Sequence, residues 1–394
     1  MEKISFIITN YNTEDYLQWS YESIRKNLHE DHEVVLLDDG STDGSWDRIR
    51  NIRDNDKNVI IHRNDENIGI AYSYNKAIEL ASNEMVCLLH TDMYVPPNTD
   101  RTITEYLKEY DFITLLRVEP YMYPHGVDKV IKEFGRSKDE FKEHKFLEWS
   151  NTHSRENKHR TEKRMFFPWC TTKTFYNNLG GKDFLFLKYM VDDDDLYMRI
   201  KLSGAKYTQV WETAVYHIPS RSTKFKNDDT ELVDGDSAWY EQYYKSARNF
   251  IRKWGIQSME AWDENRDMII PKKYDIGFVI KNCKLRDLHA LEPWCSTLYV
   301  DCEFEEYIEN EQPKTLFNLN EKIYSIHSEK QNDIVVRFDV KDFNQTNFQF
   351  ITNLSKIISN SGEVGKMKYD IFELEINKIQ DYTSELIVNT RRTR

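Results

Sequence analysis

Apolar runs and helix-period patterns alternate along roughly the first ninety residues of the chain. The runs are apolar at successive positions, which is typical of strands buried on both faces, and they are Ile4–Thr9, Glu33–Asp38, Val59–His62 and Met85–His90. Between the runs, apolar residues recur twice at the spacing of a helix. They are Leu17, Tyr21, Ile24 and Leu28 in the first case, and Ile70, Tyr74, Ala77, Ile78 and Ala81 in the second. Strand–helix–strand units of this length predict an α/β fold, a Rossmann-like and mostly parallel sheet flanked by helices.

The pattern changes twice further along the chain. Residues 120–164 are charged and irregular, and we interpret them as a solvated loop, with an acceptor-facing flexible insertion as the alternative. An aromatic stripe over residues 236–254, followed by Gly255, predicts a helix. New strand-like runs follow residue 271. We therefore predict a first domain over residues 1–225, a helical connector packing on it over 226–270, and a smaller accessory α/β domain over 271–394. The role of that last domain is left open between packing, a dimer surface and acceptor binding, and packing is favoured.

Composition and charge disfavour several classes of protein and several kinds of site. The 394 residues carry a net charge of -13, which disfavours non-specific binding of nucleic acid because that needs a basic surface. Five scattered cysteines without a CxxC pair disfavour both a disulfide framework and a zinc site. The first apolar run is too short for a signal peptide, and the sequence has no apolar window long enough for a membrane span. We expect a cytoplasmic protein.

Polar residues follow each of the four early strand runs. The segments are TNYN after the first run, DDGSTDGS after the second, RNDENIG after the third and HTDM after the fourth. Ligands bind at the carboxyl ends of parallel strands, so these segments are expected to converge on one site. Each segment alone is also explained by turn or cap chemistry. Neither GxGxxG nor GxxxxGK[ST] occurs, which disfavours a dinucleotide or P-loop site.

Later in the chain, four consecutive carboxylates, Asp192–Asp195, precede a helical pattern. A helix N-terminus favours one or two of them by about 0.3–1 kcal/mol each, but four also repel one another, and this raises carboxylate pKa values as a general base requires. In isolation, Asp92 fits an ordinary strand exit, and His217 fits a core or surface residue. Arg221 and Lys224 follow on a Ser/Thr-rich loop that could close on phosphates.

The order of these motifs resembles that of the family-2 glycosyltransferases, which have the GT-A fold. The matching segments, over roughly residues 1–225, are TNYN, DDGSTDGS, Asn67–Gly69 with Asn75, HTD, GGKDF, DDDDL and His217. Two segments depart from the family pattern. His90 replaces the first aspartate of D-x-D, and Asp192 replaces the glutamate of the family's Glu–Asp pair.

The resemblance implies a role for each matching residue. A nucleotide pocket would contain Thr9, Asn10, Tyr11, Asp39, Arg63, Asn67, Gly69, Asn75, His90 and Thr91, with Tyr11 beside the base and Asp39 accepting from it. Asp92 and His217 would bind Mn²⁺ or Mg²⁺, and Arg221 and Lys224 would form a diphosphate loop. Asp193 would be the catalytic base with Asp192 beside it. The acceptor and donor-sugar side would contain Trp169, Cys170, Gly180 and Gly181.

The resemblance also implies a reaction. It predicts that a GT-A domain over residues 1–225 transfers a sugar from a nucleotide-diphosphate donor to a hydroxyl of a glycan or other acceptor. The transfer is expected to depend on a metal and to invert the anomeric configuration, and a UDP-sugar is the favoured donor. A homodimer is possible, and no nucleic acid partner is expected. Two alternatives stay open: a sugar-nucleotide pyrophosphorylase, and a catalytically idle module that binds glycans or scaffolds a complex.

Overall fold

The computed structural model describes residues 2–29, 31–188, 190–219 and 237–388. Contacts divide the chain into two compact units: Met1–Tyr240 with Asp263–Met268, and Glu241–Trp262 with Ile269–Arg394. The predicted boundaries at residues 225 and 270 stay predictions. Most of the helix expected to be a connector groups with the second unit.

The first unit is a mixed α/β unit. Its strands are β1 (Ile4–Asn10), β2 (Glu33–Asp38), β3 (Val59–Arg63), β4 (Met85–Leu89), β5 (Met93–Tyr94), β6 (Phe112–Glu119), β7 (Lys129–Ile131), β8 (Thr161–Glu162), β9 (Trp169–Thr172) and β10 (Tyr207–His217). Its helices are α1 (Glu14–Asn27), α2 (Ser45–Asn55), α3 (Ile70–Leu80), α4 (Thr99–Tyr106), α5 (Glu143–Glu156), α6 (Lys173–Asn178) and α7 (Asp192–Leu202), and α8 (Ser237–Trp254) crosses the boundary between the units.

The large sheet has the order β3-β2-β1-β4-β9-β6-β10-β5, with β7 and β8 attached at its side. Strands β1 to β4 are parallel, β9 runs antiparallel between β4 and β6, and β10 is parallel to β6. The carboxyl ends of β1, β2, β3, β4, β6 and β10 therefore lie along one edge. The predicted mostly parallel sheet is confirmed, and its strand direction gathers the polar segments.

Residues 120–164 are more ordered than the solvated loop that we expected from their sequence. They contain β7, α5 and β8, and their Phe134 and Phe146 are buried against Leu116 and Tyr216 of the sheet. That expectation was wrong because aromatic residues spaced among the charges pack together against the sheet.

The second unit is also α/β, as predicted. Its strands are β11 (Ile276–Lys281), β12 (Thr297–Val300), β13 (Ile323–Ser325), β14 (Ile334–Asp339), β15 (Gly365–Tyr369) and β16 (Phe372–Ile376), and its helices are α9 (Leu285–Leu291), α10 (Glu305–Glu311), α11 (Gln345–Thr352) and α12 (Leu354–Ser361). The sheet order is β13-β12-β11-β14-β16-β15, parallel over the first four strands and antiparallel over the last two. Alternation of strand and helix in the sequence is enough to predict this class.

Candidate active site

Three side chains with metal-binding atoms meet where β4 and β10 end. His90 and Asp92 follow β4, and His217 is the last residue of β10. One ligand atom from each lies within 4.8 Å of the others, and Nε2 of His217 is 3.5 Å from Oδ1 of Asp92. Backbone pairing fixes this arrangement, because the amide of Ile218 donates to the carbonyl of Asp92 at 3.0 Å.

A carboxylate supports His217 on its other side. Nδ1 of His217 lies 2.8 Å from Oε1 of Glu119, which ends β6. Glu119 is paired in turn with Arg117 at 3.1 Å and with Lys129 at 2.7 Å. Burial lowers the pKa of His217, but Asp92 and Glu119 together raise it more, to about 9. Because Glu119 accepts from Nδ1, the ring directs Nε2 toward Asp92, the orientation that a metal-binding histidine needs.

His90 contributes a neutral ring. It stacks on Phe167 with ring centroids 3.8 Å apart. Burial, the largest influence, lowers the pKa of His90 to about 4 even though Asp92 opposes it. An imidazole that stays unprotonated at neutral pH has a lone pair for a cation. The family resemblance placed His90 with the nucleotide, whereas the structure groups it with Asp92 and His217.

The donor set fits a divalent transition metal. Imidazole nitrogens suit first-row transition metals, whereas Mg²⁺ prefers an octahedron of oxygen ligands. The donor set therefore suits a transition metal better than Mg²⁺, and the predicted Mn²⁺ or Mg²⁺ cofactor stays a prediction.

The aspartate run begins α7, and its side chains pair with two different cations. Lys182 contacts Asp192 and lies 2.5 Å from Oδ1 of Asp193. Asp195, the fourth of the run, accepts from Nε of Arg199 at 2.8 Å. The side chain of Asp192 is 9% exposed and that of Asp193 is 35% exposed. Mutual repulsion, which the sequence alone suggested, is thus offset by one ammonium and one guanidinium.

Aromatic rings connect the aspartate pair with the metal-binding residues. Nζ of Lys182 lies 5.3 Å from the ring centroid of Tyr74, whose ring is 6.0 Å from that of Phe167. Phe167 is the ring on which His90 stacks. The charges of Asp193 and Lys182 also act on the pKa of His90. The base candidates and the metal ligands therefore belong to one site.

Several residues expected at the nucleotide organise the loops of this edge. Asp39 accepts from the backbone amide of Gly69 at 2.9 Å and from Nδ2 of Asn64 at 2.6 Å. A Cβ on Gly69 would lie 2.3 Å from the carbonyl oxygen of Leu187, so this close approach requires glycine. The first amide of α3, Ile70, donates to a backbone carbonyl as well. Nucleotide binding by Asp39 and Gly69 stays a prediction, and both residues have a structural role.

The remaining nucleotide candidates differ in accessibility. Asn10 donates to Asp38 at 3.0 Å, and Nε of Arg63 lies 3.3 Å from the same carboxylate. Thr91 accepts from Thr13 at 3.0 Å. Tyr11, just past the end of β1, is 41% exposed and has a ring surface for stacking. Of the other three candidates, Thr9 lies near the end of β1, Asn67 lies between β3 and α3, and Asn75 lies on α3.

The predicted sugar-side residues lie in two environments. Trp169 and Cys170 have no exposed surface, because β9 is a central strand between β4 and β6, and they lie in the core instead of lining a surface. Gly180 and Gly181 precede Lys182 in a loop with positive φ. The predicted diphosphate-loop residues, Arg221 and Lys224, fall outside the described residues.

Sequence reasoning missed Lys182, Glu119 and Arg117 as members of the site. Lys182 is inside the GGKDF segment, but no signal in the sequence pairs it with Asp192 and Asp193, because these partners are on another element. Glu119 ends β6 as the polar segments end their strands, so the same rule applied to that strand would have found it.

Comparisons with known proteins match the N-terminal part of the chain. The family model "Glycosyl transferase family 2" matches residues 5–176. An uncharacterized glycosyltransferase from Nostoc sp. is 32% identical over 114 residues, which are 29% of this chain and 35% of that protein. The Escherichia coli UDP-Glc:alpha-D-GlcNAc-diphosphoundecaprenol beta-1,3-glucosyltransferase WfaP is 33% identical over 94 residues, 24% of this chain and 37% of that one. The chain thus spans about a third of the length of these relatives.

Among solved structures, GalNAc-T7 with UDP, GalNAc and Mn²⁺ has a TM-score of 0.46 and 17% identity, over 68% of this chain and 49% of that chain. In the described part of the chain, no helix has the length and apolar character needed to cross a bilayer.

Proposed function

We propose, from the premise that residues 5–176 form a family-2 glycosyltransferase domain, that this chain transfers a sugar from a nucleotide-diphosphate donor to a hydroxyl acceptor. The observation that carries the proposal is the meeting of two kinds of group at one sheet edge. One is the trio of His90, Asp92 and His217, and the other is the carboxylate pair of Asp192 and Asp193. In glycosyl transfer from a diphosphate leaving group, a cation can neutralise the leaving group while a base takes the proton of the acceptor.

The trio would hold a divalent cation. Bound there, Mn²⁺ supplies positive charge to the diphosphate that leaves. Glu119 keeps His217 oriented for this task, and Phe167 keeps the plane of the His90 ring fixed.

Asp193 would act as the base. Its carboxylate is the more exposed of the pair, so it can reach an acceptor hydroxyl, whereas Asp192 is largely buried. The hydroxyl oxygen attacks the anomeric carbon as the bond to the diphosphate oxygen breaks, and the proton passes to Asp193. One such displacement inverts the anomeric configuration.

The donor is proposed to be a UDP-sugar and the acceptor a hydroxyl of a glycan or another molecule. The printed name of the Escherichia coli relative specifies UDP-Glc, which supports uridine. Tyr11, exposed beside the ends of β1 and β2, offers a ring on which a base can stack.

A thermal-shift screen of UDP and GDP, each with Mn²⁺ or Mg²⁺, tests the donor and metal. Mass action stabilises the folded state by about 2.7 kcal/mol when a ligand is present at a hundred times its Kd. We expect UDP with Mn²⁺ to raise the melting temperature most. A larger shift with GDP would contradict the uridine assignment, and no shift with any nucleotide would contradict the donor site.

Asp193→Asn tests the base. We expect transfer from UDP-sugars to fall by about 10²–10⁴-fold, the usual contribution of a positioned base, with UDP binding retained. Asp194→Asn is the matched control, since it removes the same charge from the same helical turn, and it should keep most of the rate. Wild-type transfer by Asp193→Asn would refute the assignment. Background turnover by the unmodified protein together with glycan binding would favour an idle module instead.

A further inference from the structure

Lys182 lies between the two carboxylates that begin α7. Its Nζ contacts Asp192 and is 2.5 Å from Oδ1 of Asp193. The lysine side chain is 1% exposed. One buried ammonium thus bridges two adjacent carboxylates, and the three groups together carry one net negative charge.

The backbone of Lys182 is held as firmly as its side chain. Its amide donates to Oδ1 of Asn75 and to the hydroxyl of Tyr176, each at 2.9 Å, and its carbonyl accepts from Nδ2 of Asn75 at 2.9 Å. The preceding carbonyl, of Gly181, accepts from Arg199 at 2.7 Å. A Cβ on Gly181 would lie 2.5 Å from Oδ1 of Asn75, so the loop must have glycine there to pack this closely. Asn75 therefore fixes the position of Lys182.

The contact orients Asp193 in a particular way. Oδ1 contacts Lys182, and the side chain as a whole is 35% exposed, so the carboxylate is anchored at one oxygen while part of the side chain stays accessible. Asp192, at 9% exposed, is the inner member of the pair. Burial and the Asp193 charge raise the pKa of Asp192, while Lys182 opposes them.

We propose that Lys182 is a positioning residue for the catalytic base: it anchors Oδ1 of Asp193 and presents Oδ2 to the acceptor hydroxyl. The inference rests on the proposed function and adds a residue that the family motifs did not supply. Lys182 itself touches neither substrate nor metal in this account.

Titratable groups from every neighbouring element bear on the pair. They are Tyr74 on α3, His90 after β4, Tyr176 on α6, and Asp194, Asp195, Tyr197 and Arg199 on α7. The tyrosines stay neutral near pH 7 because burial raises their pKa values, and Arg199 is bound to Asp195. Lys182 is the cation in contact with both carboxylates, so its removal is expected to change their protonation.

Lys182→Met is the central test. Without the ammonium, two adjacent carboxylates repel each other and one takes up a proton near neutral pH. We expect the acidic limb of the kcat profile to move up by about one pH unit or more, and kcat at pH 7 to fall at least about tenfold. The KM for the donor should change less than about twofold, because only the base is affected. Lys76→Met, a surface change one residue beyond Asn75, is the control.

A double variant separates position from charge. Lys182→Met with Asp192→Asn removes one positive and one negative group, so the net charge at this position stays as in the wild type even where the single variant folds poorly. We expect its acidic limb to return toward that of the wild type while kcat stays low, since Asp193 has lost its anchor. Recovery of kcat to the wild-type value would overturn the positioning role.

A turnover-independent measurement keeps this inference distinct from the proposed function. In protein labelled with ¹³C at aspartate carboxyls, with Asp193→Asn for assignment, the Asp193 signal should titrate at higher pH in Lys182→Met than in the wild type. An unchanged titration would overturn the role of Lys182, whether or not the protein transfers sugar. Normal titration shifts in a protein without donor turnover would instead count against the proposed function alone.

Discussion

Each unit of the molecule contains a buried cluster of charges, and the two clusters have different roles. The C-terminal cluster consists of Arg248, Arg252, Glu292, Glu311 and Lys322. Arg252 donates to Glu292 at 2.6 Å and to Glu311 at 2.8 Å, and these three side chains have no exposed surface. Arg248 pairs with Glu311 at 2.8 Å, and Lys322 with Glu292 at 2.5 Å. Three cations thus surround two carboxylates.

The edge cluster, at the carboxyl ends of β4, β6 and β10, has a different composition. Its carboxylates are Asp92, Glu119 and Asp128, and its cations are Arg117 and Lys129, joined by His217, whose pKa is about 9 because Asp92 and Glu119 outweigh the effect of burial. Arg117 contacts both Asp128 and Glu119, and Lys129 pairs with Glu119. Asp92 is grouped with the two histidines and lies 3.5 Å from Nε2 of His217.

The difference distinguishes a structural network from a site. Buried charges that are fully paired keep a fold together only while each partner is present. A buried cluster that brings two imidazoles and a carboxylate together instead offers ligand atoms for an added cation. The presence of these ligand atoms, rather than burial or the number of ion pairs, separates the two.

The largest expected effect is on the C-terminal cluster. Arg252→Met leaves Glu292 and Glu311 short of a buried partner, which costs about 3–5 kcal/mol in unfolding free energy. Hydrogen exchange in peptides from β11 and β14 measures the loss locally. Arg286→Met, at a side chain 81% exposed, is the control and should change stability by less than about 0.5 kcal/mol. Loss of Mn²⁺ binding in Arg252→Met would break the proposed separation of roles.

Acid should weaken the same cluster. Burial raises the pKa of Glu292, but Lys322 and Arg252 lower it more, to about 2. A carboxylate whose pKa is depressed on folding contributes stability above its unfolded pKa of about 4.5, and this contribution is lost as pH falls toward 2. The shift corresponds to about 3 kcal/mol. Urea unfolding between pH 5 and 2.5 should show this slope in the wild type and a shallower one in Glu292→Gln. Equal slopes would mean that other carboxylates dominate acid unfolding.

The smallest expected effect tests the role of Glu119 in the edge cluster. Glu119→Gln exchanges the carboxylate at Nδ1 of His217 for an amide, while Arg117 keeps its contact with Asp128. Loss of such a supporting carboxylate typically weakens metal affinity by about 10–100-fold. Mn²⁺ titration followed by electron paramagnetic resonance measures it, with the exposed Glu105→Gln on α4 as control. Unchanged affinity in folded Glu119→Gln would remove Glu119 from the metal-supporting role.

Local patterns were sufficient for the outline of the fold. Fully apolar runs predicted β1 to β4, and strand–helix alternation predicted both α/β units, because burial of a strand on two faces leaves a signature in neighbouring residues. The same reasoning misjudged residues 120–164, since aromatic residues separated by charges show no simple period. It also could not reveal that Trp169 and Cys170 belong to a central antiparallel strand.

The aspartate run, Asp192–Asp195, separates what the sequence determined from what only the tertiary structure decided. The sequence alone determined that Asp192–Asp195 begin a helix and that Asp195 and Arg199 are spaced to pair at i and i+4. The partner of Asp192 and Asp193 was decided by the loop before α7, which brings Lys182 against them from ten residues upstream. Likewise, His90, Asp92 and His217 were separate candidates because each lies at the end of a predicted strand, and only the order of strands in the sheet placed them together. Helix spacing is a local property of the chain, whereas contacts across loops and strands depend on packing that no short segment encodes.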